Sequence, residues 1–264
     1  MTTLQTVFAK AKADDRAALI GYLPAGFPSK DGAIAVATAM VEAGCDVIEI
    51  GLPYSDPLMD GPTIQDAVHR ALTNGTRIAD VLRTVEGVAA TGAATLVMTY
   101  WNPIDRYGAE RFAQDLANAG GVGTITPDLT PEEAGPWREA SAQAEIDTVF
   151  LVAPSSTEAR IKAVVDSCTG FVYAASLMGV TGARDSVGAA AQGLVERTRL
   201  QTSLPVCVGL GVGTGRQAAE VAGYADGVIV GSAFIRRVLD APDEKSGLAS
   251  VRELGAELAA GVRG

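Results

Sequence analysis

AIAVATAMVEAGCDVIEIGLPYSDPLMDGP, residues 33–62, carries the plan of the whole chain in one stretch. Its first part, 33–44, is small and apolar at helical spacing and stops at a glycine. DVIEI (46–50) then reads as a short buried strand, with β-branched Val47, Ile48 and Ile50. Along a strand Val47 and Glu49 share one face, and Ile48 and Ile50 share the other. The all-apolar pair is expected against covering helices, which turns Glu49 inward. A carboxylate there is expensive to desolvate, so it wants a partner or a task. The chain next turns through Pro53, Asp56, Pro57, Asp60 and Gly61. Asp56 and Asp60 read either as turn and cap residues for a helix starting near Pro62, or, for Asp60, as the second half of an acid/base pair on a loop folding back over Glu49.

The same strand–helix unit recurs on both sides. Strands are expected at 17–23, 46–50, 95–100, 122–126, 147–153, 170–176, 205–211 and 226–232. Helices are expected at 33–44, 62–75, 78–91, 108–120, 131–144, 157–168, 187–200, 215–224 and 246–260, with irregularity near Pro136. A short helix at 3–13 has Leu4, Val7, Phe8 and Ala11 on one face and is placed to cap the bottom of a barrel. Continuous apolar strands alternating with helices imply a parallel sheet covered on its outside. Eight such units, without linker or composition break across 1–264, predict one α/β catalytic domain, a closed (β/α)8 TIM barrel with extra short helices. A doubly wound open sheet is the alternative, but no GxGxxG follows the first strand.

Composition narrows the function. The formal charge of −10 and the lack of basic clusters argue against a nucleic-acid partner. No apolar run approaches membrane-spanning length, and the N-terminus is too polar for a signal peptide. Cys45, Cys168 and Cys207 are widely spaced and read as small buried hydrophobes in a reducing compartment. A cytoplasmic enzyme is expected.

In such a barrel the chemistry lies at the C-terminal ends of the strands. Tyr22, Glu49, the 51–61 loop, Tyr100 to Asn102, Thr126 to Asp128 and Tyr173 fall there. So do three glycine-rich loops, GVTG (179–182), GLGVGTG (209–215) and VGS (230–232). Singly each is an ordinary tight turn. Together they suggest backbone N–H groups around a phosphate, with Gly211 and Gly213 permitting close approach and Gly231 and Ser232 opening a helix through SAFIRRVL. GVTGARDS reads as a lid, with Thr181 as a polar contact, or as an ordinary loop. His69, the only histidine, lies within a helix, so histidine acid/base chemistry and a histidine-rich metal site are not expected. Lys10, Lys12, Lys30, Lys162 and Lys245 all avoid the strands, leaving no Schiff-base candidate. Asp128 reads as a third carboxylate or as a cap for the helix at 131. What remains is a phosphorylated substrate handled by two carboxylates whose pKa values can be driven apart, without metal or bound cofactor.

IEIGLPYSDPLMDGPTIQ (48–65), MTYWNPIDRYG (98–108), ITPDLTPEEA (125–134), YAASLMGVTGAR (173–184), PVCVGLGV (205–212) and ADGVIVGSA (225–233) closely resemble the tryptophan synthase alpha-subunit family. The resemblance implies a lyase that splits indole-3-glycerol phosphate into indole and glyceraldehyde 3-phosphate. It implies Glu49 as proton shuttle and Asp60 as partner of the indole N–H. It implies Tyr173 and Thr181 as substrate contacts, beside Tyr22 and Tyr100, whose rings and hydroxyls can line the mouth, and Gly182, Gly211, Gly231 and Ser232 as the phosphate site. It further implies an alpha2-beta2 heterotetramer whose beta subunit carries pyridoxal phosphate and receives the indole. Pro53, Asp56, Pro57, Leu58, Asn102 and Pro103 would form the interface, with Trp101 and Ile104 adding apolar bulk. Tyr22, Tyr54, Met59 and Leu177 depart from the enterobacterial pattern, which has phenylalanine, phenylalanine, alanine and a basic residue there. A sugar-phosphate isomerase and a non-catalytic activating subunit are the competing readings; intact Glu49 and Asp60 oppose the second.

Overall fold

The computed structural model describes residues 3–175, 184–209 and 211–264. In chain order the elements are α1 (Leu4–Ala13), β1 (Ala18–Pro24), α2 (Lys30–Glu42), β2 (Val47–Gly51), α3 (Pro62–Thr73), α4 (Ile78–Ala89), β3 (Ala94–Met98), α5 (Trp101–Tyr107), α6 (Ala109–Asn118), β4 (Gly123–Ile125), α7 (Gly135–Gln143), β5 (Asp147–Val149), β6 (Leu151–Val152), α8 (Glu158–Val165), β7 (Val172–Ala175), α9 (Arg184–Arg199), β8 (Val206–Gly209), α10 (Gly215–Ala222), β9 (Gly227–Val230), α11 (Ser232–Leu239) and α12 (Glu244–Gly261).

Every strand pairing is parallel, and β1 pairs with both β2 and β9. First and last strands are thus neighbours, which an open doubly wound sheet does not allow. The order β5-β4-β3-β2-β1-β9-β8-β7-β6 ends on two halves of one strand. They flank Phe150, whose carbonyl still accepts the Tyr173 N–H at 3.1 Å, so the ring closes as a (β/α)8 TIM barrel.

The alternation expected for β2 is realised. Val47 belongs to the inner cluster with Ile20, Leu96, Ile125, Val149, Cys207 and Ile229, while Ile48 and Ile50 join the outer cluster beneath the helices. Helix α1 closes the bottom of the barrel: Leu4, Val7, Phe8 and Ala11 are buried in that inner cluster, with Phe8 edge-on to Phe171 at 5.7 Å. Thr3 starts the helix through a reciprocal capping box with Thr6.

Three expectations change. The strand at 95–100 ends at Met98, and the segment after it, for which no element is expected, forms the helix α5. The Asp128 carboxylate accepts the Trp101 N–H at 2.9 and 3.1 Å, which starts that helix, and Pro103 falls in its first turn, where an N–H has no intrahelical partner anyway. Asp128 therefore caps α5, an element before it in the chain, and not the helix that follows. Helix α7 begins only at Gly135, because Pro136 suits a first turn and would break an interior.

Candidate active site

Glu49 sits at the centre of the barrel's C-terminal end, paired in register with Tyr22 on β1 and Leu96 on β3. It is fully buried, and among the described residues neither carboxylate oxygen has a hydrogen-bond partner. Burial pushes its pKa up to about 8, which favours the protonated, neutral acid near pH 7. Two phenols crowd the same space. Tyr22 and Tyr173 are held well above the usual tyrosine range, chiefly by burial and then by the nearby carboxylates, Asp60 and Glu49 for Tyr22 and Glu49 for Tyr173.

Glycines make room for these rings. A Cβ on Gly51 would strike the Tyr22 hydroxyl and its ring, and one on Gly209 would strike those of Tyr173. At Gly231 a Cβ would come within 3.0 Å of the Tyr22 ring. Gly231 thus has a packing role beside the anion-binding one expected of it. The need for glycine at 51 and 209 was not read from the sequence. The available signal was that each closes an otherwise bulky strand within reach of a tyrosine.

Asp60 is half-buried, and burial raises its pKa above the ordinary carboxylate value. The capping alternative fails: the N-cap of α3 is Gly61, which makes no side-chain cap bond. Asp60's carbonyl accepts the Gln65 side-chain amide at 2.7 Å. No described residue donates to its carboxylate.

The loop carrying Asp60 is tied to the start of α5. The Tyr100 phenol oxygen accepts the N–H groups of Leu58 and Met59 at 3.0 and 3.1 Å. Asn102 donates its side-chain amide to the Tyr54 hydroxyl at 3.0 Å, and the Tyr54 and Tyr100 rings lie 5.5 Å apart. Leu58 is 75% and Met59 46% exposed, and Asp56 and Asn102 also face solvent. Pro57 and Pro103 are partly covered. Two expected interface side chains are turned in: Pro53 is buried where the loop leaves β2, and Ile104 is fully buried on the inner face of α5.

The third feature is a cavity of about 580 Å³ lined by Gly211, Gly213, Ser232, Ala233, Arg236 and Arg237, among others. Gly211 has φ +66°, a conformation glycine adopts freely and a β-branched residue resists. Helix α11 starts at Ser232 without a side-chain cap, so its first N–H groups keep no side-chain acceptor of their own. Arg236 and Arg237 had not been read as part of this end of the site. The available signal was that Arg236 lies one helical turn, four residues, after Ser232. Leu177, Thr181 and Gly182, with most of the expected lid, lie outside the described residues.

His69 is exposed on α3, as its helical setting implied, and the three cysteines are buried and unpaired. Among the described residues no group of three or more His, Cys, Asp or Glu side chains is gathered as a metal site, and no helix is long and apolar enough to cross a membrane.

A family profile described as tryptophan synthase alpha chain matches residues 8–263. The tryptophan synthase alpha chain of Thermobifida fusca (strain YX) is 62% identical over 266 residues, spanning 100% of this chain and 98% of its own length. That of Streptomyces avermitilis is 61% identical over 262 residues, spanning 99% of this chain and 95% of its own. In structure, the chain resembles Mycobacterium tuberculosis tryptophan synthase with a TM-score of 0.92 at 53% identity, covering 100% of this chain and 99% of that one. It resembles tryptophan synthase subunit alpha from Legionella pneumophila str. Paris with a TM-score of 0.90 at 32% identity, covering 99% and 98%. These likenesses run nearly the full length of the chain.

Proposed function

The chain belongs to the tryptophan synthase alpha chain family, and on that premise we propose how its own residues perform the retro-aldol cleavage of indole-3-glycerol phosphate to indole and D-glyceraldehyde 3-phosphate. The observation that carries the assignment is Glu49, buried at the mouth with neither oxygen bonded among the described residues, and with its pKa pushed up by burial. As an acid it gives its proton to the indole ring carbon that bears the glycerol chain. The ring nitrogen then carries positive charge, and the Asp60 carboxylate stabilises its N–H. The adjacent glycerol hydroxyl loses its proton to Glu49, now a carboxylate, as the carbon–carbon bond breaks. The bond's electrons return to the ring and the alkoxide becomes the aldehyde. Glu49 ends protonated as it began. Tyr22 and Tyr173 line the space for the apolar ring.

The phosphate is assigned to the α11 N-terminus, with Gly211, Gly231 and Ser232, and Gly182 by resemblance. Arg236 and Arg237 line the same cavity, together with the carboxylate Asp240. Gly211→Val is expected to weaken glycerol phosphate binding at least about a hundredfold, by denying close approach and straining a positive φ. Ser232→Ala leaves the backbone donors and should cost only a few-fold. Equal affinity of wild type and Gly211→Val by calorimetry places the anion elsewhere.

We assign the chain to the cytoplasm, where its three unpaired cysteines are at home. There it joins a pyridoxal-phosphate beta subunit in an alpha2-beta2 complex through the exposed part of the 54–59 loop and α5, passing indole across for condensation with serine. Docking there bears on the loop that carries Asp60. Indole release should therefore rise at least about tenfold on titrating the beta subunit, since a small misplacement of a reacting group costs up to about a hundredfold. Asn102→Asp loses the amide that Tyr54 accepts, and should reduce both binding and activation. Light scattering and indole release followed together decide it. Normal assembly and activation in this variant move the interface to another face, and a chain that releases no indole in any state rejects the reaction.

A further inference from the structure

We propose that Tyr100 is a positioning residue for Asp60, holding the 58–59 backbone that carries the carboxylate, and that its oxygen accepts no hydrogen bond from a substrate. The proposal rests on the role given to Asp60 above. A tyrosine oxygen offers one donor and at most two acceptor sites. Here both acceptor sites are taken by consecutive amides, Leu58 at 3.0 Å and Met59 at 3.1 Å, immediately before Asp60. An oxygen so engaged has no lone pair left for a ligand's hydroxyl or N–H.

The post itself is rigid. Tyr100 is 6% exposed. Its carbonyl accepts the Thr99 hydroxyl at 3.0 Å, and the next N–H, that of Trp101, is held by Asp128. The loop has few other ties. Among the described residues, Ser55 bonds to its neighbour Asp56 alone, and Asp60 is reached through its carbonyl alone, by Gln65. The connection from Asn102 to Tyr54 ends on the same corner, against the Tyr100 ring. Freed from the phenol, residues 58–60 keep a tether on only one side of the catalytic carboxylate, and the carboxylate's placement over the reacting ring is lost.

Tyr100→Phe keeps the ring and removes the acceptor. In the full chain we expect kcat for indole release to fall about tenfold to a hundredfold with KM within about threefold, because placement of the group, not substrate binding, is what fails. Hydrogen exchange at the Leu58 and Met59 amides should accelerate at least about tenfold. Added to Asp60→Asn, Tyr100→Phe should cost nothing further, since no carboxylate is left to place. In the unsubstituted chain those two amides should exchange at least about tenfold slower than the amides of Ser55 and Asp56, a measurement that needs no folded variant. Equal rates there, an unchanged kcat in Tyr100→Phe, or a rise in KM alone would each overturn the proposal. Full activity in Asp60→Asn would instead remove the Asp60 role on which it stands, whereas an inactive Asp60→Asn beside a fully active Tyr100→Phe would remove the latch alone.

Discussion

Glu49→Gln lowers indole release at least about a hundredfold, with glycerol phosphate affinity held within about threefold. Glutamine fills the same space and keeps the strand register, but it can neither give a proton to the ring carbon nor take one from the glycerol hydroxyl, and general acid–base groups contribute about a hundredfold or more. The loss should fall on kcat, because proton transfer matters in the transition state and the glycerol phosphate end is bound elsewhere. Turnover at saturating substrate above about a third of wild type would show that Glu49 moves no proton.

The raised pKa adds a second, independent readout. Burial pushes the Glu49 pKa up to about 8 in the folded chain, from an ordinary value of 4.5. Between these values the folded chain holds a proton that the unfolded chain has released, so stability falls as pH rises through that window. The contribution is fully present below about 4.5 and lost above about 8. It amounts at most to about 5 kcal/mol, at about 1.4 kcal/mol per pKa unit. Glu49→Gln has no such titration. Urea unfolding at pH 5 and pH 9 should show the variant gaining on wild type only at the higher pH. A difference independent of pH would mean that Glu49 is solvated rather than buried. Wild-type kcat/KM should likewise fall as pH rises through about 8, because the free enzyme must supply the acid.

Asp60→Asn costs about a hundredfold or more in kcat, although asparagine keeps an acceptor for the indole N–H. What it loses is the negative charge facing a developing ring cation, and a preorganised electrostatic partner of this kind accounts for about 10²–10³ in rate. The half-buried setting of Asp60 makes that charge count for more than it would in water. Asp60→Glu keeps the charge on a longer arm and should retain a measurable fraction of turnover. Indole release by the two variants at saturating substrate separates charge from hydrogen bonding. Asparagine performing as well as glutamate would show that only an acceptor is needed, and the cation would then have to be stabilised by another group.

Much of this site is legible in the chain itself. Alternation in VIEI turns Glu49 inward, because a strand's side chains point to opposite faces whatever lies beyond it. Apolar strands ending in glycine-bounded turns impose the β/α rhythm, and α1 buries the apolar face that its helical spacing predicts in the cluster at the barrel floor. These are properties of near neighbours, so the sequence by itself determines them. The family motifs likewise single out Asp60, which no periodicity could distinguish from a helix cap.

Tertiary placement decided the rest. Tyr100 meets the amides of residues 42 and 41 positions away, and Asn102 meets a tyrosine 48 positions away. Asp128 caps a helix that precedes it by 27 residues, where the local pattern offered it the next one. Gly51 and Gly209 are required by rings that arrive from other strands. Pro53 and Ile104 look like exposed apolar bulk in sequence, yet are buried once the loop and α5 lie against the barrel. Each of these depends on the distance and direction between elements that closure of the ring brings together. Hydrogen bonds act over about 3 Å and exist only after that closure, so no local pattern along the chain encodes them.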